Sequence, residues 1–392
     1  MTTLMIGKFM PYHLPVIEGL IECVTTLGGG KRTLKQVLSL GTTTAEHVPL
    51  PDGGVVTLVW ISSTVDDYSY GDHVVILMPG MNNSSETGFV RGLGVEVEAS
   101  ANKNASAARV HVAIMDYRLT GTSNMEVYEG LKVPPHPACA DGWRDWDCLF
   151  DYVKEQYEGC RVHVVGQSLG GGMTLKWIGV KGKDAGIVSA AAVCPPVDYR
   201  RVAGHLEDGF VSLVCNFIMT IPCKVNVCMS QAVRRALPSL WNAVMARTVR
   251  EFENAVIVPL LNYENPEDYY EQNSPVKNVG NIRTPTVVIH TTDDPIVPPP
   301  EEGIFPDCVG TVRVDYGGHL GIWDIWGNRW GDKVVGEWVR HWVDKDERER
   351  GRRRKRREGR GRDRAGSDSS GGKSPERRVG RRPSMRGVAM GF

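Results

Sequence analysis

The 392-residue chain is predicted to adopt an α/β fold, a mostly parallel, doubly wound sheet with a helical cap insertion, on three observations. Six short apolar, β-branched runs alternate with helix-length segments. One of them runs straight into a Gly-x-Ser-x-Gly turn that opens a helix. The alternation then breaks between Tyr199 and Arg283 and resumes afterwards.

The elements follow in order. Residues 1–44 are read as an N-terminal extension with weak signals. Its Gly28-Gly29-Gly30-Lys31 tetrad has the glycines of a phosphate loop. Arg32 stands where Ser or Thr should follow the lysine, however, and no apolar strand precedes it, so a flexible turn is expected. EHVPL, the turn Pro51-Asp52-Gly53-Gly54 and VVTLVWI read as an antiparallel hairpin. The six runs are HVVILMPG (73–80), RVHVAIMDYR (109–118), RVHVVGQS (161–168), IVSAAAVCPP (187–196), TPTVVIHTTDD (284–294) and TVRVDYGGH (311–319). Continuous apolar runs of this length read as strands buried on both faces, and interleaved helices imply parallel crossovers. The core is thus placed at 45–198 and 284–343. Residues 199–283, too long for a crossover, are read as a helical cap over the C-terminal strand ends, where open α/β sheets bind ligands.

Charge is unevenly spread. Residues 351–392 hold 15 Lys and Arg against 4 Asp and Glu, which leaves 31 against 42 for the rest. From Asp344 onward apolar residues are almost absent, so 344–392 is expected to be a disordered basic tail. Such a tail suits peripheral contact with an anionic membrane, with nucleic acid the less favoured partner. The nine cysteines are odd in number and form no CxxC pair, which favours free thiols in a reducing compartment. No uninterrupted run reaches the roughly eighteen apolar residues of a spanning helix, and Met1 to Leu27 lacks the pattern of a cleaved signal. The expectation is a soluble, cytoplasmic body with membrane association through the tail.

The chemistry centres on Gly166-Gln167-Ser168-Leu169-Gly170, between the apolar VHVV and the helical GGMTLKWIGV. A nucleophile on a tight strand-to-helix turn needs small flanking residues, and Ser168 is the candidate. A hydroxyl becomes nucleophilic only beside a base. His319, framed by glycines after the last run, is the choice, whereas His290, His73, His111 and His163 lie in strands and read as structural. Asp293 and Asp294 follow TPTVVI, and either could supply the carboxylate that orients the histidine. Oxyanion donors are expected from the amides of Leu169 and of Met81, in the loop LMPGMNNSSET. Asn82 and Asn83 formally begin glycosylation sequons, but a polar turn is the better reading. Phe210, Leu213, Phe217, Ile218, Trp241 and Met245 are candidates for an apolar acyl pocket in the cap.

These motifs resemble one group, the YheT-like α/β-hydrolases, which include the plant embryogenesis-associated proteins and the animal abhydrolase-domain proteins one to three. The resemblance spans about residues 45–343 and rests on PGMNNSSETGFVRGL, MDYRLTGTS, GWRDWDCLFDYV, VVGQSLGGGMTLKW, CPPVDY, TVREFEN, EDYYEQNSP, TTDDPIVP and GGHLGIWD. It implies a serine hydrolase of carboxylic, acyl-lipid esters using no metal or organic cofactor. The family nucleophile and histidine fall on Ser168 and His319. The family aspartate, the one before the proline, falls on Asp294. Members usually carry Gly in the oxyanion loop where this chain has Asn82 or Asn83. The alternative is a non-catalytic binding protein on the same scaffold, its basic tail binding nucleic acid or anionic lipid.

Overall fold

The computed structural model describes residues 4–6, 44–61, 68–103, 108–324 and 329–365. The Gly28–Lys31 tetrad, Cys23 and residues 366–392 lie outside them. Nine strands form one sheet: β1 (Leu4–Ile6), β2 (Ala45–Pro49), β3 (Val55–Trp60), β4 (His73–Met78), β5 (Val110–Asp116), β6 (Arg161–Gln167), β7 (Ser189–Val193), β8 (Thr286–Thr291) and β9 (Val309–Val314). Their order is β1-β9-β8-β7-β6-β4-β5-β3-β2. β2 and β3 are antiparallel, as is β3 against β5, and the other pairings are parallel. The hairpin closes where Leu50 N donates to Gly54 O, with Gly53 at φ +85° in the left-handed region a turn glycine supplies. Edge strand β1 went unpredicted because three residues carry no period.

Alternate residues of each run face opposite sides. Val74, Ile76 and Met78 pack with Trp146, Phe150 and Trp177 on one face. Val75 and Leu77 pack on the other with Val90, Leu93, Val335 and Val339. The covering helices are α1 (Gly88–Asn102), α2 (Trp146–Gln156) and α3 (Leu169–Lys181).

The insertion folds as seven helices: α4 (Tyr199–Leu206), α5 (Phe210–Met229), α6 (Gln231–Ala236), α7 (Leu240–Met245), α8 (Val249–Ala255), α9 (Ile257–Leu261) and α10 (Pro266–Asn273). Five start on a capping side chain, Asp198, Ser230, Ser239, Thr248 or Asn265, which accepts an orphan amide of the first turn. Their apolar sides join Leu119, Met81, Leu169, Ile296 and Val297, all in segments that follow C-terminal strand ends.

Two expectations are corrected. Asp344–Ala365, expected to be disordered, continues the helix α11 (Trp330–Ala365). Its first turns are anchored by Val335, Val339 and Val343, and the Arg, Lys and Glu that follow are strong helix formers. α5 is long and apolar enough to cross a membrane by length and composition, although only a third of it is buried in the fold. Ser212, Asn216, Thr220 and Lys224 interrupt its apolar run, which hid it from a search for continuous stretches.

Candidate active site

Ser168 ends β6 and caps α3 with φ +48° and ψ −120°, a conformation sparsely populated by non-glycine residues. The residues two positions to either side must be glycine. A Cβ on Gly166 would stand 2.4 Å from Gly170 O, and one on Gly170 would stand 2.2 Å from Met78 O. The turn therefore lifts the serine hydroxyl above the C-terminal sheet edge.

The structure brings Ser168, His319 and Asp294 together. His319 Nε2 lies 2.8 Å from Ser168 Oγ, and His319 Nδ1 lies 2.8 Å from Asp294 Oδ2. Asp294 is buried, and its other oxygen accepts the amides of Ile296 (2.8 Å) and Val297 (2.9 Å). Of the two neighbouring carboxylates, the one that meets His319 is Asp294, the aspartate that the resemblance implies. Asp293 turns the other way. It accepts the amides of Gly317 (3.3 Å) and Gly318 (3.0 Å), pinning the loop that carries His319. Burial raises the Asp293 carboxyl above its usual range, and the two glycine amides offset part of that.

Three of the four histidines set aside as structural, His73, His163 and His111, have partners of their own. His73 lies 2.9 Å from His163, which lies 2.8 Å from Ser189 Oγ, and His111 meets Asp72 at 3.2 Å. Burial pushes His73 down to about 4.

The loop after β4 passes against the serine, since a Cβ on Gly80 would lie 3.2 Å from Ser168 Cβ. Met81 follows Gly80 in that loop, while Leu169 opens α3, where the first amides have no intrahelical acceptor. Asn82 holds the left-handed conformation, φ +61°. After glycine, asparagine is the residue that tolerates it best, which accounts for Asn where a glycine was expected. Its side chain reaches the cap, donating to Cys223 Sγ (3.1 Å) and accepting from Asn226 Nδ2 (3.1 Å), both on α5. Sequence reading missed this contact, and the only signal for it was the Asn-for-Gly departure. It also missed His205 on α4, whose ring nitrogen lies 3.1 Å from the Asp294 carbonyl oxygen.

Beside Asn82 a small open pocket is lined by Thr120, Ala138, Cys223, Val227, Val233 and Phe252. The six residues predicted to form an acyl pocket are not among them. Phe210 and Trp241 are 82% and 70% exposed, and Leu213, Phe217 and Met245 are exposed as well. A helical apolar pattern locates a face without saying whether that face turns inward.

Among the described residues, the only group of three potential metal donors is Cys194, Asp294 and His319. Two of these are engaged with each other in the Ser168 network, and burial keeps the Cys194 thiol protonated, well above its usual pKa.

The sequence model of the alpha/beta hydrolase family matches residues 75–335, well over half the chain. The chain belongs to the alpha/beta hydrolase family. This alpha/beta hydrolase is similar to phospholipase ABHD3 of Mus musculus, 22% identical over 76% of this chain and 72% of that one. It is also similar to the putative esterase YheT of Escherichia coli, 24% identical over 71% of this chain and 78% of the relative. A monoacylglycerol lipase of Saccharomyces cerevisiae is 26% identical over 47% of this hydrolase and 43% of its own length. Among solved structures, the esterase Pf2001 of Pyrococcus furiosus covers 79% of this chain and 95% of its own at 15% identity and a TM-score of 0.48. Relatives named esterase, phospholipase and lipase support ester hydrolysis as the general activity.

Proposed function

We propose that the protein is a carboxylic ester hydrolase acting on acyl-lipid esters through Ser168, His319 and Asp294 and an acyl-enzyme intermediate. The observation that carries this reading is the unbroken chain of contacts, 2.8 Å from Ser168 Oγ to His319 Nε2 and 2.8 Å from Nδ1 to a buried Asp294. Ser168 Oγ attacks the ester carbonyl while His319 Nε2 takes its proton. Asp294 fixes the tautomer that leaves Nε2 free to accept, and it stabilises the imidazolium that forms. The amides of Met81 and Leu169 receive the negative oxygen of the tetrahedral intermediate. As that intermediate collapses, the imidazolium returns its proton to the departing alcohol. Water, deprotonated by the same nitrogen, then releases the acid and frees Ser168. The acyl chain is assigned to the cavity between the Asn82 loop and α5, a reading supported by its apolar lining of Val227, Val233 and Phe252. A lipid substrate accords with relatives named phospholipase and monoacylglycerol lipase.

A series of p-nitrophenyl esters of rising acyl length tests the reading. Turnover by the native protein is expected, with Ser168→Ala reducing it by a factor on the order of a thousand or more. Equal turnover by the alanine variant, or none by the native protein at any chain length, would overturn it.

A further inference from the structure

α5 buries Cys215, Cys223 and Val227 in the cap but is apolar on its outward side as well. The residues it buries include Ser212, Asn216 and Thr220, whereas the face it turns outward carries Phe210, Leu213, Phe217, Val225 and Met229. The inward polar groups have work to do. Asn216 donates to Leu206 O (3.2 Å) and accepts the amide of Val249 (2.7 Å), tying α5 to α4 and α8. Among the described residues, the outward face has no such account. α7 packs beside α5 and extends the apolar surface with Trp241, Val244 and Met245. Contiguous apolar exposure of this kind marks a contact surface.

Charge indicates the partner. Between Asp208 and Glu251 the chain has no acidic residue, yet it carries Lys224, Arg234, Arg235, Arg247 and Arg250. The body as a whole has an acidic excess, 42 Asp and Glu against 31 Lys and Arg in residues 1–350. An apolar face with tryptophan on a segment whose own charges are all cationic is complementary to an anionic lipid surface, where rings settle among the headgroups and cations meet phosphates. Lys224 shows the arrangement locally, its ammonium 5.8 Å from the Phe217 ring centre.

We propose that the outward face of α5 and α7 is the surface by which this protein docks on anionic lipid bilayers. The basic helix is placed otherwise. α11 brings Asp346 to Arg161 at the start of β6 and Arg350 to Gly71 O just before β4. Its arginine-rich continuation therefore leaves from the strand ends opposite Ser168. The inner side of α5, by contrast, lines the cavity with Cys223 and Val227 and holds Asn82 beside Ser168. Docking through the outward face of α5 thus leaves a single helix between the bilayer and the cavity. The inference extends the lipid-ester reading, but the docking surface can be tested without any turnover.

The test uses the full chain carrying Ser168→Ala, so that no lipid is consumed, sedimented with vesicles of phosphatidylcholine with and without phosphatidylserine. Phe210→Asp with Trp241→Asp should lower binding to phosphatidylserine vesicles by about tenfold or more, and Lys224→Glu with Arg235→Glu should remove the preference for them. In the background with Ser168 restored, the Phe210→Asp, Trp241→Asp protein should hydrolyse a soluble short-chain ester as the parent does. That separates failure of docking from failure of the active-site reading. A chain ending after Arg352 should keep its vesicle binding. Unchanged binding by the face variants, binding lost only on truncation, or a dimer that these variants split without affecting vesicle binding would each overturn the proposal.

Discussion

Asp293 and Asp294 are neighbours in the chain, yet their carboxylates serve different ends of the same histidine. Asp294 meets the ring at Nδ1, and Asp293 holds the backbone of the loop through Gly317 and Gly318. Asp294→Asn presents the ring with the wrong tautomer and is expected to lower turnover on the order of a thousandfold or more. Asp293→Asn keeps one acceptor and sets its amino group against a glycine amide, so a loss nearer tenfold is expected, with a lower melting temperature. Rates and melting curves of both variants check this, and a larger turnover loss for Asp293→Asn would contradict it. At this scale the sequence was informative about Ser168 and His319, because a strained turn and a glycine-framed loop restrict which residues can occupy them. The residues alone left the aspartate open, since both carboxylates follow the same strand. Only the resemblance and then the geometry separated them.

At the scale of elements, the Asn82 side chain ties the loop after β4 to α5. Asn82 supplies the left-handed backbone that glycine would also allow, together with two contacts to the cap that glycine could not make. Asn82→Gly should therefore keep the loop conformation and lose the tie, whereas Asn82→Ala also incurs about 1 kcal/mol or more for a left-handed residue with a Cβ. The expected order of denaturation midpoints is native, Gly, Ala, and a Gly variant less stable than the Ala variant would refute this account of Asn82. Strands β4 to β9 were legible because a strand buried on both faces is apolar throughout, whatever surrounds it. The faces of α5 were not. Phe210 and Trp241 look like core residues by type, and tertiary packing alone turned them outward. The helical course of Asp344–Ala365 was likewise hidden, since lack of apolar residues does not prevent an arginine- and glutamate-rich segment from extending a helix already anchored at Val335 and Val339.

Across the whole molecule, burial sets the titration of groups outside the Ser168, His319 and Asp294 contacts. His73 and His290 are pushed down to about 4, so each favours the folded state above the unfolded value near 6.5 and loses that contribution as pH falls towards 4. Glu253 in the cap has the opposite sign. Burial raises it from 4.5 to about 7, and its contact with Tyr270 only partly offsets this. The stability it contributes is complete below 4.5 and is lost as pH rises through 7. Glu253→Gln, which stays neutral, should gain on the native protein by about 2 kcal/mol between pH 4.5 and pH 8, allowing for the residue's remaining solvent contact. Denaturant titrations of both proteins at the two pH values measure the difference. A gain in the other direction would show that Glu253 is stabilised as a carboxylate.

The central claim is that Ser168 is the nucleophile, and covalent trapping tests it most directly. A fluorophosphonate reacts with a serine only when a base removes its proton and donors hold the developing oxyanion. After incubation of the full chain with such a probe, peptide mapping by mass spectrometry should place a single adduct on the segment containing Gly166-Gln167-Ser168. Ser168→Ala, with an unchanged circular dichroism spectrum, should take up none. An adduct on a different serine, or undiminished labelling of the folded alanine variant, would contradict the account.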